Sequence, residues 1–426
     1  MAEKRERTGA VQRKDPLTTT LTESRFPLFF CKNIRRISAS VSCRFHGARK
    51  LSRRCHVRTS LKASLLGTLF LNISLAASVY GDWKQDWEKS VAAAEKEGEV
   101  TIYGQSRAGV GKALLAFKDA YPKIKINFVG GSGSDLAKKI MAEKRASKHL
   151  VDLSVGGGGT MVLVYHKAGH LQPIPPLLVL PEVVDQTKWW SKKHLYADPE
   201  GQHVFMAQGD AGSGIAAINT NFIKPGEIQS WWDLLAPKYR GKMVMTDADS
   251  AGNIGSWRFL YYSPDLGPKF IRRLLTEAQL TFGNNEHQMM DWVGAGKYYM
   301  HVMAKFENTE NARKQGLPVM QIFSEKEGDT ISTGSGHIVV FKNAPHPNAT
   351  KVYLNWFLSR DGQLVWQRLT GRNSFRTDIP KDMVAFKEEQ VPKEGDKYLL
   401  SSLPQYEDVK PLRKLVDEVL AQAKQK

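Results

Sequence analysis

Three loops rich in glycine and hydroxyl residues each follow a short apolar segment in the first half of the sequence. Their candidate binding residues are Gln105, Ser106, Arg107, Ser132, Gly133, Ser134, Gly158 and Thr160. Glycine lets backbone N–H groups approach a bound molecule closely, and a helix that begins at such a loop adds partial positive charge. The Arg107 guanidinium and the hydroxyl groups suit a carboxylate or phosphate. Together these residues predict a binding site for a small molecule with an anionic group.

A second group of polar residues lies farther along the chain and is expected to face these loops. The loop 247–253 supplies Asp249 and Asn253, and Gly214 begins an apolar extended segment. Ligands of open α/β sheets bind outside the carboxyl ends of the strands. The alternative is that each glycine only permits a tight turn between a strand and a helix. Three such loops in one chain favour binding.

Short apolar strands alternate with helices over most of the chain, which predicts an α/β fold with a parallel sheet. The first predicted strands lie at 100–104, 124–129 and 151–155. A second α/β unit is predicted over 222–325, followed by a strand at 338–341. Helical periodicity predicts helices at 83–98, 348–358, 361–369 and 409–422.

The net charge of +18 is concentrated at the start of the chain. Residues 1–60 hold 15 Lys and Arg but only 4 Asp and Glu, so +11 of the charge belongs to this segment. The remaining residues carry +7, which does not indicate a nucleic-acid partner. The composition, 42% hydrophobic and 24% charged, is that of a globular protein and excludes a disordered chain or a collagen-like rod.

All three cysteines lie in the same basic segment. They are Cys31, Cys43 and Cys55, with His46 and His56 nearby. Zinc motifs usually bring their ligands in close pairs, which this spacing of twelve does not provide. We therefore predict neither a metal site nor a cofactor, and a chain that tolerates an oxidising compartment.

An export signal is predicted at residues 57–81. Residues 63–81 carry no charge, Arg58 and Lys62 precede them, and Ala76-Ala77-Ser78 end the apolar part. This order is typical of a cleaved secretory signal peptide. The alternative is a retained membrane anchor, for which the apolar part is short. Residues 1–56 are interpreted as an upstream extension, with translation starting at Val57; the rival interpretation is an organelle transit peptide.

Four stretches of the chain resemble the periplasmic solute-binding proteins of ABC importers, in the group that includes ferric-ion, thiamine and polyamine binders. They are 97–104, 231–242, 292–296 and 355–363. The resemblance implies a two-lobed, type II periplasmic-binding-protein-like α/β fold with two crossing segments and a ligand cleft between the lobes. Its expected lobes are 82–213 plus 334–426, and 222–325, with crossings near 212–221 and 327–336.

The same resemblance implies a function and partners. The chain would capture a small solute in the periplasm by lobe closure, as a monomer, and deliver it to a membrane permease driven by an ATPase. Ferric-ion binders of the family carry an adjacent tyrosine pair where this chain has Phe306 and Glu307. A cationic thiamine or polyamine would need aromatic walls and carboxylates, for which Asp210 and Asp249 are available. These ligands stay open, with an anionic solute preferred.

No enzyme motif accompanies these loops. The sequence lacks Gly-x-Ser-x-Gly, His-Glu-x-x-His and the phosphate-binding Gly-x-x-x-x-Gly-Lys-Ser/Thr. His166 and His170 are four residues apart on a predicted helix but have no nearby acid in sequence. A calcium loop starting at Asp247 is excluded because Arg258 occupies the position of the required Glu. We predict a binding protein and keep an exported hydrolase as the alternative.

Overall fold

The computed structural model describes residues 83–212, 214–247, 254–324 and 326–423. Its strands are β1 Glu99–Gln105, β2 Lys125–Gly131, β3 Leu153–Gly156, β4 Leu171–Gln172, β5 Phe205–Met206, β6 Ala216–Asn219, β7 Met243–Thr246, β8 Thr281–Gly283, β9 Met300–Val302, β10 Val319–Ile322, β11 Asp329–Ile331, β12 His337–Phe341 and β13 Tyr398–Leu400. The predicted signal at 57–81 and the extension before it lie outside the described residues.

Helices connect most of these strands. They are α1 83–97, α2 Val110–Leu115, α3 Phe117–Ala120, α4 Gly133–Arg145, α5 Gly158–Thr160, α6 Pro181–Val184, α7 Ile254–Tyr262, α8 Gly267–Glu277, α9 Glu286–Gly294, α10 Phe306–Lys314, α11 Pro347–Leu358, α12 Arg360–Thr370, α13 Lys387–Gln390 and α14 Lys410–Ala423. A π-helix spans Met161–His166, and 3-10 helices span Pro175–Leu177, Gln186–Lys188, Trp190–Lys192, Trp231–Leu235, Pro237–Tyr239 and Pro404–Tyr406. Over the described ranges, no helix has the length and apolar character that would let it cross a membrane.

The first sheet has the strand order β2-β1-β3-β12-β4, with β5 also paired to β12. Strand β1 is parallel to β2 and β3, whereas β12 is antiparallel to β3. Its central strands are buried on both faces, which explains their nearly continuous apolar sequences. Helices such as α4 and α11 cover the sheet with apolar residues, including Leu136, Ile140 and Leu354. The predicted strands 100–104, 124–129, 151–155 and 338–341 are confirmed.

The second sheet has the order β10-β6-β9-β7-β8. Strands β7, β8 and β9 are parallel, and β6 is antiparallel to both β9 and β10. Its core is built around Trp257, Phe270 and Met300, each fully buried. The strand predicted over 298–303 is shorter than expected, because Tyr298 and Tyr299 pack against Trp292 and Phe222 before the strand begins. Two sheets with separate cores give the two-lobed fold.

The chain passes between the lobes from β5 to β6 and returns from β10 to β12. Between them, β11 pairs in parallel with β13, so a stretch from the C-terminal part runs beside the second crossing. Helix α14 then packs against α8 of the second lobe, where Leu412 and Val416 join its core. The prediction that all of 334–426 belongs to the first lobe is therefore wrong for this helix. Its apolar stripe is buried by the second lobe.

Candidate functional site

The carboxyl ends of β1, β2 and β3 meet at one edge of the first sheet, next to the start of β12. Gln105 lies opposite Gly131, and Gly156 lies opposite His337. The chain continues from these ends into the three predicted loops. The fold therefore brings eight predicted residues to one edge, namely Gln105, Ser106, Arg107, Ser132, Gly133, Ser134, Gly158 and Thr160.

The side chain of Gln105 fills the space between these loops. Its Oε1 accepts a hydrogen bond from the Ser335 hydroxyl, just before β12. A Cβ on Gly133 would lie 2.7 Å from its Nε2, and one on Gly156 would lie 3.2 Å from its Cγ. Both glycines thus allow the Gln105 side chain to approach closely, and neither has a positive φ. Gln105 positions the loops as much as it presents an amide to the cleft.

Ser132 caps helix α4. Its hydroxyl accepts a hydrogen bond from the Asp135 N–H at 3.2 Å and donates one to the Asp135 carboxylate at 2.6 Å. The Ser134 hydroxyl lies 3.0 Å away. The N–H groups of Gly133 and Ser134 belong to the first helical turn, where the helix itself provides no acceptor. This end of α4 can therefore donate to a bound molecule, beside the negative charge of Asp135.

The loop after β3 packs against a buried histidine, His337. A Cβ on Gly158 would lie 2.5 Å from His337 Nε2 and within 3.0 Å of two further ring atoms. Burial lowers the pKa of His337 to about 4, so the ring is neutral at pH 7. The Thr333 hydroxyl lies 3.2 Å from its Nε2. Sequence patterns missed His337, because a single histidine that opens an apolar strand carries no motif.

We expect Gly158→Ala to destabilise the protein by about 1–3 kcal/mol, since the buried ring of His337 cannot move aside. Gly159→Ala is the matched control, because a Cβ there meets no atom within 4 Å. That control should change the free energy of unfolding by less than about 1 kcal/mol. Urea denaturation of both variants measures the difference, and equal stabilities would contradict the contact.

A half-open cavity between these loops is too small for a solute. It has a volume of about 10 Å³ and is lined by Gln105, Gly133, Gly156, Thr160 and their neighbours. That is room for roughly one water molecule. Ser106 and Arg107, by contrast, are exposed in front of the sheet edge. A solute at this edge would therefore lie in front of the loops, towards the second lobe.

Gly214 is the one described residue among the predicted site residues that lies away from this edge. Gly214 is buried in the crossing with φ +67°, its N–H donates to Asp329 at 3.0 Å, and a Cβ would lie 2.6 Å from the Ile322 carbonyl oxygen. Its role is in the backbone of the crossing, because this positive φ favours glycine. Asp249 and Asn253 lie outside the described residues.

The second lobe also presents polar residues where its parallel strands end. Asn285 and Glu286 follow β8, and Lys305 follows β9. The Lys305 ammonium lies 2.7 Å from one oxygen of Glu286, and the Asn308 amide donates to the other at 2.7 Å. These residues carry no motif in the sequence, although a polar residue shortly after a predicted strand was an available signal.

An ion-pair network connects the two lobes. Arg372 lies 3.3 Å from Asp210 in the first lobe and 2.8 Å from Glu307 at the start of α10 in the second. Burial raises the pKa of Asp210 to about 6, although Arg372 and a hydrogen bond from the Asn373 N–H lower it. Asp210, considered above for a cationic ligand, is thus bound to Arg372.

Comparison with known proteins gives the same architecture. A family model described as bacterial extracellular solute-binding protein matches residues 112–393. Apo FutA2 from Synechocystis PCC6803 is 17% identical, with 76% of this chain and 98% of that chain covered and a TM-score of 0.58. FutA (IdiA) from Trichodesmium, in complex with iron and citrate, is 19% identical, with 76% and 99% covered and a TM-score of 0.58.

A third similar structure is the ferric binding protein from Campylobacter jejuni. It is 17% identical, with 75% of this chain and 99% of that chain covered, and a TM-score of 0.54. At these identities the structures show a shared fold, the two-lobed fold of type II periplasmic binding proteins. Because the family match spans more than half of the chain, the chain belongs to the bacterial extracellular solute-binding protein family.

Proposed function

We propose that this family member captures a small solute with at least one anionic group between its lobes and delivers it to the permease of an ABC importer. The observation that carries the proposal is the convergence of the three loops at one sheet edge. Arg107 and the hydroxyls of Ser106, Ser134 and Thr160 would contact the anionic group. The N–H groups of Gly133 and Gly158 would donate to it as well.

The second lobe would complete the site on closing. We assign Asp249 and Asn253 to its side of the cleft, as expected from the sequence. Closure would bend the chain in the two crossings, which the sequence predicts near 212–221 and 327–336. The solute shifts the lobes towards the closed form only by the difference between its affinities for the two forms. The closed monomer would then dock on the permease in the periplasm, after removal of the 57–81 signal.

Other solutes would need different side chains in the same cleft. A ferric site built on an adjacent tyrosine pair is not supported, because Phe306 is buried against Phe323 and Phe386, and Glu307 binds Arg372. A thiamine or polyamine would need carboxylates that are not already neutralised, and Asp210 is paired. Ferric ion, thiamine and polyamines are therefore the competing ligands in the screen described next. In the same screen, steady release of a product would indicate an exported hydrolase.

The test is a thermal-shift screen of the full chain against carboxylates, phosphate esters, ferric ion, thiamine and polyamines. A solute that binds only the folded state stabilises it by about 2.7 kcal/mol at a hundredfold over its Kd. We expect the shift with an anionic organic solute. A shift with the cationic ligands alone would contradict the assigned solute class, and steady turnover of any compound would contradict a binding role.

We expect Ser134→Phe to weaken binding of that solute at least tenfold, because the ring would occupy the first turn of α4 where the solute donors lie. Lys138→Phe is the matched control, since this residue is exposed farther along the same helix. Isothermal titration of both variants, with circular dichroism to check folding, measures the difference. Equal affinities would place the solute elsewhere.

A further inference from the structure

Two histidines and two carboxylates meet where the π-helix Met161–His166 ends. One ligand atom from each of His166, Asp198, Glu200 and His203 lies within 4.8 Å of the others. His166 comes from the helix, and the other three come from the loop before β5. None of these residues takes part in the solute site described above. Sequence spacing alone paired His166 with His170, whereas the fold brings it to a distant loop.

Three distances describe the geometry of the cluster. His166 Nε2 lies 2.8 Å from a Glu200 oxygen, and His203 Nδ1 lies 3.1 Å from an Asp198 oxygen. The two imidazole ring centroids are 5.0 Å apart. Both histidine side chains are mostly buried, whereas Glu200 is half-exposed and leaves the cluster accessible from solvent.

Asp198 is a buried carboxylate next to the His203 ring. Its side chain is fully buried, and its oxygens accept hydrogen bonds from the N–H groups of Gln202, His203 and Val204. The loop is thus folded around a carboxylate that can hold the His203 ring in one orientation.

We propose that this cluster binds a divalent transition metal ion of the Zn²⁺ class, with His166, His203 and Glu200 as ligands. Imidazole nitrogen and carboxylate oxygen are ligands that suit such ions. Asp198 holds His203 through its Nδ1, as carboxylates commonly hold metal-binding histidines, and leaves Nε2 for the metal. Ligand atoms around a tetrahedral Zn²⁺ are about 3.3 Å apart.

The test uses the full chain with its thiols alkylated, so that Cys31, Cys43 and Cys55 cannot bind the metal. Isothermal titration with ZnCl2 should show one Zn²⁺ per chain. His166→Gln and Glu200→Gln should each weaken this binding at least about tenfold, since even the residues behind metal ligands contribute this much. His170→Gln is the matched control on the neighbouring turn, and it should leave the affinity unchanged.

Three results would overturn the site: no Zn²⁺ binding, unchanged binding in both His166→Gln and Glu200→Gln, or an equal loss in His170→Gln. Circular dichroism checks that the variants fold. If His166→Gln does not fold, the result for Glu200→Gln alone tests the metal site. The Ser134→Phe variant should keep Zn²⁺ binding, so failure of the solute proposal is distinguishable from failure of this one.

Discussion

We expect Arg372→Ala to lower the free energy of unfolding by about 2–3 kcal/mol at pH 8, because it leaves the buried carboxylate of Asp210 without its counterion. Losing one partner of a fully buried pair costs about 3–5 kcal/mol. Arg372 is 38% exposed, so solvent screens part of the attraction and the expected cost is lower.

The cost should depend on pH in a direction that the structure determines. Burial raises the pKa of Asp210 from 3.8 to about 6, so the folded protein binds this proton more tightly than the unfolded chain. The contribution of Asp210 to stability therefore falls as the pH rises from about 4 to 6. Without Arg372 the pKa of Asp210 rises further, and the variant continues to lose stability above pH 6. The difference between variant and unchanged chain should be larger at pH 8 than at pH 5.

Urea denaturation at both pH values measures this difference. The double variant Asp210→Asn/Arg372→Ala should recover most of the loss, since asparagine carries no charge and can still accept from the Asn373 N–H. Glu307→Gln removes only the exposed pair between the lobes and should cost less than about 1 kcal/mol. An equal loss at pH 5 and pH 8, or no recovery in the double variant, would contradict the role of Asp210.

Much of the first lobe follows from local sequence patterns. Strand β3 is buried along its whole length and the apolar residues of β1 are buried, so both strands stand out as short apolar segments such as Val100–Tyr103. The loops after them are visible because glycine at 133, 156 and 158 allows the close approach of Gln105 and His337. Close packing of side chains against the loop backbone favours glycine at these positions. The glycines therefore mark the sheet edge in the sequence.

Interactions between distant segments could not be predicted in this way. The Arg372 network joins Asp210 to Glu307, and each residue looks like an ordinary surface charge in its own segment. Gly214 matched the pattern of a binding glycine, but its positive φ serves the crossing. His166 was compared with His170 because helical spacing relates them, whereas its partners come from the loop around Glu200. Only the tertiary fold selects among such possibilities.

Helix α14 is a second example of a tertiary contact whose partner the sequence does not identify. An apolar stripe over 409–422 indicates that the helix is buried on one side, but it does not indicate against which lobe. The family match ends at residue 393, before this helix begins. In the structure, Leu412, Val416 and Val419 complete the core of the second lobe around Phe270 and Leu274. The C-terminal part therefore belongs to both lobes.

We expect Leu412→Ala to destabilise the protein by about 2–5 kcal/mol, since the side chain is fully buried and its removal leaves a cavity. Leu412→Met nearly conserves the volume and should cost less than about 1.5 kcal/mol. Urea denaturation of the full chain measures both values. The comparison separates loss of core volume from a general intolerance of substitution in α14.

Hydrogen exchange locates the effect of Leu412→Ala. Because α14 packs on α8, the amides of Gly267–Glu277 should lose protection first, whereas those of Gly133–Arg145 in the first lobe should change less. An equal loss in both helices would contradict the assignment of α14 to the second lobe. Since β13 precedes this helix and pairs with β11 in the crossing, loosening α14 should also reduce protection in β11. Solute affinity measured in the same variant would then report how far the second lobe is coupled to the proposed closing motion.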